Sequence, residues 1–290
     1  LEQCGLYYRC FSRIKTASSM AHKFALKDYG AENKKLQDLV GVRINLYFDD
    51  DVEICQNIVE NTFDVIGWST SERSEEEFKP TKLNGVCRLP EYLRSEISTE
   101  TWDMYIDDTF EIQIKTMFFE GWHEIEHDMR YKSPYGGEFW RNNEDLSRTL
   151  NCVLANLELC DWTTLNVFEK LARYHYEEGN WEMMIKGRFR LRFAGKPLSQ
   201  ELVDFFNENH EVVRCMYHCS RADVLYALLN DVNHEDITFD LLVKVMNESV
   251  ADYDLKLKKK LSKICKDLVK SEKTVKTERL ELKPLEISPS

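Results

Sequence analysis

The chain has 290 residues, about the length of one large domain or two ordinary ones, and 43% of them are hydrophobic. This share of apolar residues is enough for a sizeable core and excludes global disorder. The 39 basic and 51 acidic side chains give a net charge of −12, which excludes nonspecific DNA binding through a basic surface that covers the whole molecule.

All apolar runs are much shorter than the roughly 18–20 residues that span a bilayer, so we expect no membrane partner. The 9 cysteines are scattered without a C-x-x-C pair, unlike those of a secreted disulfide-rich domain, and a reducing cytoplasm is expected. Cys215, His218 and Cys219 have a spacing that a metal site could use, but buried thiols in an apolar helix explain them better. Because the chain starts with Leu1, we also expect sequence upstream of it.

The first half of the chain alternates predicted strands and helices, which is typical of an α/β unit. Mostly apolar stretches predict strands over residues 6–15, 39–48 and 63–69, with one or two more over 102–116. Amphipathic stretches predict helices over 18–28, 52–63 and 117–132. The charged, proline-bearing segment 71–82 is predicted to be a loop.

After a turn-rich break at residues 133–137 the remaining segments are predicted to be helical, over 144–159, 164–178, 199–207, 211–229 and 239–269. We therefore expect an α/β domain over 1–135, a helical extension over 136–276 and a flexible tail over 277–290. Residues 256–276 carry nine lysines against two acids. Such a run is typical of a solvated helix surface and also of a surface that holds RNA phosphates.

The segment 110–132 carries the most chemical information. On a strand, Glu111, Gln113 and Lys115 share one face above an apolar support. The helix that follows has an apolar stripe, which we expect to be buried, and a polar stripe offset from it. The apolar stripe consists of Phe118, Trp122, Ile125 and Met129, and the polar stripe consists of Glu120, Glu124, His127 and Tyr131.

Four polar residues near the N-terminus predict an anion site where a strand meets a helix. Arg13 and Lys15 share one side of the strand end, and Ser19 and Lys23 lie one turn apart on the helix. Free backbone N–H groups and the helix dipole attract phosphate, and the cations neutralise its charge. This convergence favours a phosphate site over a solvated basic edge.

Asp38 and Glu111 are candidates for a shared Mg²⁺, which proteins bind through one or two carboxylates together with phosphate oxygens. Asp38 precedes the strand that contains Arg43, five residues later. A regular strand would aim these two side chains at opposite faces. Either the chain bulges near Gly41 or Asp38 lies before the strand begins.

The order of these motifs resembles the synthetase domain of the RelA/SpoT alarmone-synthetase family, in its small, single-domain branch. The matching segments are R-I-K-x-x-x-S-x-x-x-K over 13–23, D-L-V-G-V-R-I over 38–44, E-I-Q-I-K-T over 111–116 and W-H-E-I-E-H-D-M-R-Y-K over 122–132. The resemblance covers roughly residues 6–132. It implies an α/β fold, with a nucleotidyltransferase-like mixed β-sheet flanked by helices and followed by the helical C-terminal extension.

The resemblance also implies a GTP/GDP diphosphokinase-like enzyme, which moves the pyrophosphate of ATP in one step to the ribose 3′-hydroxyl of GDP or GTP and releases AMP. The ATP-binding residues that it implies are Arg13, Lys15, Ser19, Lys23, Arg43 and Lys115. Asp38 would bind Mg²⁺, and Glu111 would assist it and take the proton of the attacking hydroxyl. Gln113 and His127 would complete the catalytic site. In-line phosphoryl transfer needs such a group of cations, metal and base.

The acceptor side departs from the family pattern. The family usually has a G-Y-x-S-x-H loop whose tyrosine stacks on the acceptor guanine. The corresponding stretch here is expected to be a loop that contains Lys82, Gly85, Val86 and Arg88. Val86 cannot stack as an aromatic ring does, and no histidine follows. We therefore expect a complete donor side and a changed acceptor side.

Three functions stay open on the sequence alone. The leading prediction is synthesis of (p)ppGpp or a close analogue. One alternative is a toxin-like pyrophosphotransferase that acts on the 3′ end of tRNA, with the lysine-rich helix holding RNA, and the other is a catalytically silent nucleotide-binding module. Homo-oligomers occur in the small branch, and a homo-oligomer is expected here by that analogy only.

Overall fold

The structure is a computed structural model that describes residues 1–26, 35–70, 83–97, 105–130, 136–231 and 236–281. The chain forms two compact units, one of Leu1 and Tyr7–Asn166 and the other of Glu2–Leu6 and Val167–Ser290. The first unit extends past residue 135, where the change in composition suggests a domain boundary. No helix within the described ranges is long and apolar enough to cross a membrane.

A five-stranded mixed sheet is the framework of the first unit. Its strands are β1 Tyr8–Ile14, β2 Val40–Leu46, β3 Val65–Thr70, β4 Leu83–Arg88 and β5 Thr109–Thr116, in the order β1-β2-β5-β4-β3. Strands β2 and β5 are parallel, and the other neighbouring strands are antiparallel. This topology confirms the predicted mixed sheet.

Helices accompany the strands of the first unit. They are α1 Ala17–Leu26, α2 Asp51–Thr62, α3 Glu91–Ile97, α4 Met117–Arg130, α5 Gly136–Asn142 and α6 Glu144–Glu177. Helices α1, α2 and α4 confirm three predicted helices. The two helices predicted over 144–159 and 164–178 are one helix, because no glycine or proline interrupts α6. The predicted loop 71–82 lies outside the described residues.

The two faces of the sheet have different partners because side chains alternate along each strand. On one face, Ile44 and Ile112 pack with Val59 of α2 in the hydrophobic core. The opposite face carries polar side chains, and Arg43 there forms an ion pair with Glu120 of α4. This polar face positions the candidate site.

Helix α4 buries a different stripe from the one predicted. Of the four apolar residues only Trp122 is buried, and the others are exposed, namely Phe118 (38%), Ile125 (58%) and Met129 (45%). Phe119 is buried instead and packs with Trp122 and Leu154 of α6. The rotation of α4 is set on one side by α6 and on the other by Arg43, and neither contact is visible in the periodicity of α4 itself. The predicted buried stripe is therefore wrong for three of its four members.

The second unit is helical. After a short 3₁₀ helix at Glu2–Cys4, and besides the last part of α6, it contains α7 Trp181–Phe189, α8 Gln200–Glu208, α9 His210–Tyr217, α10 Arg221–Asn230, α11 Phe239–Val245, a π-helical turn at Met246–Val250 and α12 Leu255–Glu281. Helix α7 has no counterpart among the predicted helices. Helix α12 includes the first residues of the predicted tail, and residues 282–290 lie outside the described ranges.

Two stretches that are predicted as single helices are interrupted. The stretch 211–229 breaks after α9 because Ser220 caps α10, its side chain accepting a hydrogen bond from the N–H of Asp223. The stretch 239–269 breaks before α12, where the carboxylate of Asp254 accepts hydrogen bonds from the N–H groups of Lys256 and Leu257. At both breaks a capping side chain starts the next helix.

The thiols near the first break have an ordinary structural role. Cys219 is buried, and its Sγ donates a hydrogen bond to the carbonyl oxygen of Cys215 at 3.4 Å. Burial raises the pKa of Cys219 to about 11. Because a thiol must lose its proton to bind a metal, this environment favours buried thiols over a metal site with His218.

Candidate active site

A cleft of about 490 Å³ opens on the polar face of the sheet. Strands β1, β2 and β5 and helix α4 line it with the polar side chains of Arg9, Arg13, Arg43, Glu111, Gln113, Glu120 and Glu124. The parallel register of β2 and β5 places Gly41 beside Glu111 and Arg43 beside Gln113, so strand alternation gathers these groups on one face. The cleft thus combines predicted phosphate-binding cations with the predicted base.

Two amides orient the carboxylate of Glu111. Its Oε1 accepts a hydrogen bond from Nδ2 of Asn84 at 3.1 Å, and its Oε2 accepts one from Nε2 of Gln113 at 3.1 Å. Gly41, the neighbour on β2, has no side chain that would cover this carboxylate. No cation among the described residues forms an ion pair with Glu111.

Arg43 and Lys115 share the acidic side chains of α4. Arg43 donates hydrogen bonds to Glu120 and Glu124, and its Nε donates to Oε1 of Gln113 at 3.3 Å. Lys115 is 6% exposed, and its Nζ lies 3.4 Å from Oε2 of Glu120. Burial lowers the pKa of Lys115, whereas the pKa of Arg43 is raised because the two glutamates outweigh its burial. These acids therefore fix two predicted ATP-binding cations on the face of the sheet.

The two histidines of α4 stack on each other with ring centroids 5.9 Å apart. His127, a predicted catalytic residue, does not line the cleft, and its Nδ1 lies 3.6 Å from Oδ1 of Asp128. His123 lies one turn earlier and is absent from the sequence prediction. Burial, together with the charges of Lys115 and Arg43, lowers the pKa of His123 to about 4. His123 is therefore neutral at pH 7.

Glu120, His123 and Glu124 form a group whose potential ligand atoms lie within 4.8 Å of one another. Such a group could hold a metal ion, but Arg43 donates to both carboxylates. A guanidinium in contact with both acids neutralises them and repels a cation. In this structure the group is an ion-pair cluster.

Asp38 binds two of the predicted phosphate-binding lysines. The Nζ atoms of Lys15 and Lys23 lie 2.7 and 2.6 Å from its Oδ2. Strand β2 begins at Val40, so Asp38 lies before the strand, and this explains its spacing from Arg43 without a bulge. Burial alone would raise the pKa of Asp38, but the two lysines lower it. Asp38 is therefore ionised at neutral pH and holds both lysines together.

The oxygens of Asp38 and Glu111 are chemically suited to Mg²⁺. Oδ1 of Asp38 is buried and has no hydrogen-bond partner among the described residues, which is costly for a charged oxygen and would be relieved by a cation. Glu111 presents two oxygens whose orientation is fixed by amides. Carboxylate oxygens are the protein ligands that Mg²⁺ prefers. The oxygens present are of the type that the ion binds, and Lys15 and Lys23 would have to turn from Asp38 to the donor phosphates to make room for its charge.

Strand β1 contributes two arginines to the cleft, one of which is absent from the sequence prediction. Arg9 and Arg13 are exposed, lie on one face of β1 and form no ion pair with an acid in the described ranges. Their separation by four residues along a strand is the signal that could have identified Arg9. Ser19 does not line the cleft, and its hydroxyl oxygen accepts a hydrogen bond from Oγ1 of Thr16 at 2.9 Å.

The stretch predicted as the acceptor loop is strand β4 in the structure, so the loop assignment is wrong. Its antiparallel register with β5 places Val86 opposite Glu111 and Asn84 opposite Gln113. The alternation of 83–88 is the signal for this strand, and it would also have placed Asn84 on the polar face of the sheet. Lys82 lies outside the described residues.

The other two residues of that stretch have structural partners. A Cβ atom on Gly85 would lie 2.7 Å from the ring of Trp68, so glycine lets this ring pack against the strand. Nε of Arg88 lies 3.2 Å from Oδ2 of Asp64. Neither Gly85 nor Arg88 lines the cleft, and their part in binding an acceptor stays a prediction.

Residues 12–135 match the model of the region found in RelA / SpoT proteins, which confirms the resemblance over this part of the chain. No curated protein gives a significant match. The small alarmone synthetase 1 from Bacillus subtilis is 20% identical over 56% of this chain and 79% of its own, with a TM-score of 0.40. A GTP pyrophosphokinase family protein from Streptococcus pneumoniae is 20% identical over 55% and 74%, with a TM-score of 0.40.

Proposed function

We propose that this chain, which carries the RelA/SpoT region over residues 12–135, is an ATP-dependent pyrophosphotransferase. It moves the β,γ-diphosphate of ATP to the ribose 3′-hydroxyl of GDP or GTP and makes (p)ppGpp or a close analogue. The observation that carries the proposal is Glu111, a carboxylate without a cationic partner among the described residues, oriented by two amides in a cleft that three arginines line.

The distribution of cations supports binding of the donor triphosphate. Arg13 and Arg43 line the cleft beside Glu111, and Lys15 and Lys23 add positive charge where β1 leads into α1. We assign the ATP phosphates to these four residues together with Ser19 and Lys115. Charge-assisted hydrogen bonds to phosphate are short and strong, and they orient the donor as well as bind it.

Mg²⁺ fits this proposal through Asp38 and Glu111. When bound, the ion supplies neutralisation of the charge on the donor phosphates. Oδ1 of Asp38 would be one ligand, since it is buried without a hydrogen bond from any described residue, and an oxygen of Glu111 would be another. Lys15 and Lys23 lower the pKa of Asp38 and so keep it in the ionised form that a metal ligand requires.

The proposed transfer is an in-line displacement at the β-phosphorus of ATP. The 3′-hydroxyl oxygen of the acceptor bonds to this phosphorus, the bond from the phosphorus to the α,β-bridging oxygen breaks, and AMP leaves. Glu111 takes the hydroxyl proton, and Gln113 holds Glu111 in position. Arg43 and Lys115 stabilise the charge that develops on the phosphate oxygens. His127 stays a proposed contributor from α4.

Val86 lies directly opposite Glu111, so we place it beside the acceptor ribose rather than under the base. Guanine recognition then has to come from residues other than Val86.

All nine cysteines are free thiols, which supports a reducing cytoplasm. The exposed apolar side chains of α4, Phe118 and Ile125 among them, offer a surface to a homo-oligomer.

An acceptor panel tests the proposed function. The purified chain is incubated with Mg²⁺ and γ-labelled ATP, and separately with GDP, GTP, tRNA or no acceptor. We expect label in a guanosine product, with an equal amount of AMP. Label in tRNA alone would contradict the proposed acceptor and support the toxin-like alternative. ATP binding without transfer to any acceptor would indicate the silent module.

A further inference from the structure

Helix α12 carries a row of lysines that the proposed reaction does not use. Lys256, Lys259, Lys263 and Lys266 are all exposed, and we call them the lysine surface. None of the four forms a hydrogen bond or an ion pair through its side chain with any described residue. Two neighbouring lysines do have acidic partners, Glu208 for Lys260 and Asp252 for Lys258. The lysine surface is therefore not neutralised by the part of the chain that the structure describes.

The opposite side of α12 is used for packing within the second unit. Leu261 and Cys265 are buried. Nδ2 of Asn247 donates a hydrogen bond to Oγ of Ser262 at 2.9 Å, which ties the helix to the π-helical turn. Over this part of the helix, much of the apolar face that an amphipathic helix would insert into a lipid surface is thus already occupied. What remains for a partner is mainly positive charge, with two separate exposed apolar side chains, Leu255 and Val269.

This charge is segregated from that of the rest of the chain. Residues 256–276 hold nine lysines against two acids, in a chain whose net charge is −12. Lysine is depleted at the cores of protein–protein interfaces, which favour aromatic residues and arginine. It is, however, a good point-charge ligand for phosphate. The composition therefore favours a partner whose charge is regular and phosphate-based over a folded acidic protein.

The spacing of the lysines suits a phosphodiester backbone. The four residues follow one another at intervals of three and four, so neighbours are separated by about 4.5–6 Å along the helix axis and the row extends for about 15 Å. A single strand of RNA is flexible enough to bring successive phosphates to such a row. We propose that the lysine surface binds single-stranded RNA through its backbone, without preference for sequence. This inference is independent of the proposed transfer reaction.

The proposal sets the expected dependence on salt. Neutralising four phosphates of a single strand gives a slope of about −3 for the logarithm of the binding constant against the logarithm of salt concentration. Affinity should therefore fall by about 50-fold between roughly 50 and 200 mM salt. Binding through hydrogen bonds to bases would show a shallower slope and a dependence on sequence.

The experiment uses the full chain and a fluorescent, unstructured 20-nucleotide RNA, without ATP or Mg²⁺, so its outcome does not depend on catalysis. Fluorescence anisotropy is measured over a range of salt concentrations. The test variant replaces the four lysines of the lysine surface by glutamine. The matched control removes the same charge from exposed positions elsewhere, by R148Q, K170Q, K186Q and R214Q. Circular dichroism verifies that both variants keep their helices.

We expect the test variant to lose at least about tenfold in affinity at roughly 50 mM salt and most of its salt slope, while the control stays within about twofold of wild type. An equal loss in both variants would show that only net charge matters and would overturn the proposal. So would equally tight binding of the wild type to polyglutamate or to phosphatidylserine vesicles. Absence of RNA binding by the wild type at low salt would also refute it.

Discussion

Replacing Glu111 by glutamine tests the proposed base with little change in shape. In the folded protein its two oxygens each accept one hydrogen bond, from Asn84 and from Gln113. Glutamine keeps one acceptor oxygen, so one of these contacts survives and the other is lost. A hydrogen bond to a charged acceptor contributes about 1.5–3 kcal/mol, and we therefore expect the free energy of unfolding to fall by no more than about 3 kcal/mol.

The loss of turnover in Glu111→Gln is expected to be much larger. A general base contributes about 10²–10⁴-fold to the rate, or about 3–5 kcal/mol of the activation barrier, and weaker metal positioning adds to this. We expect at least about a hundredfold loss in turnover. The affinity for ATP should change little, because no described cation forms an ion pair with Glu111.

The assay measures initial rates of labelled product with the acceptor that the panel identifies, together with ATP affinity by calorimetry and thermal unfolding. Glu53→Gln is the matched control, since Glu53 is exposed on α2 and the substitution removes the same charge. The control should react at the wild-type rate. If Glu111→Gln also reacts at close to the wild-type rate, the carboxylate is structural and the proposed mechanism is wrong.

Three further predictions concern the donor, pH and packing. Replacing Arg13 by glutamine should raise the ATP Kd by at least about tenfold in calorimetry, since a charge-assisted contact contributes about 1.5–3 kcal/mol; an unchanged Kd would refute its role. The pKa of His123 is about 4 in the folded protein and about 6.5 in the unfolded chain. When the pH falls from roughly 7.5 to 5, the free energy of unfolding of the wild type should therefore fall by about 2 kcal/mol more than that of His123→Gln. Equal losses in urea denaturation would contradict this. Gly85→Ala places a Cβ 2.7 Å from Trp68 and should destabilise by about 1–3 kcal/mol in thermal unfolding, whereas an unchanged Tm would contradict the packing argument.

The polar face of β5 could be predicted because strand geometry imposes strict alternation. Glu111 and Gln113 needed only a strand to share a face, and the structure places both in the cleft. The rotation of α4 could not be predicted in the same way. It depends on Leu154, which lies far along the chain, so the periodicity of α4 alone does not show which apolar residues are covered.

The contacts between charged groups in the candidate site could not be predicted from the sequence. Lys15 and Lys23 fit a phosphate site by residue type, but their shared contact with Asp38 depends on how β1, α1 and the start of β2 meet. His123 and Asn84 were missed for a related reason. His123 lies within the quoted segment 122–132 and Asn84 within the stretch compared with the acceptor loop, but the sequence assigns no role to either, and each matters through the neighbours that the fold supplies.

Any shorter version of this protein has to keep the first part of helix α6. A fragment trimmed to the family match at 12–135 would start inside β1 and lack Arg9. It would also uncover Trp122, which Leu154 shields, and it would leave Thr116 without the carboxylate of Asp161 that accepts its hydrogen bond at 2.8 Å. Such a fragment would expose apolar surface and be prone to aggregation. Residues 7–166 are therefore the better minimal fragment for measuring the chemistry of the cleft.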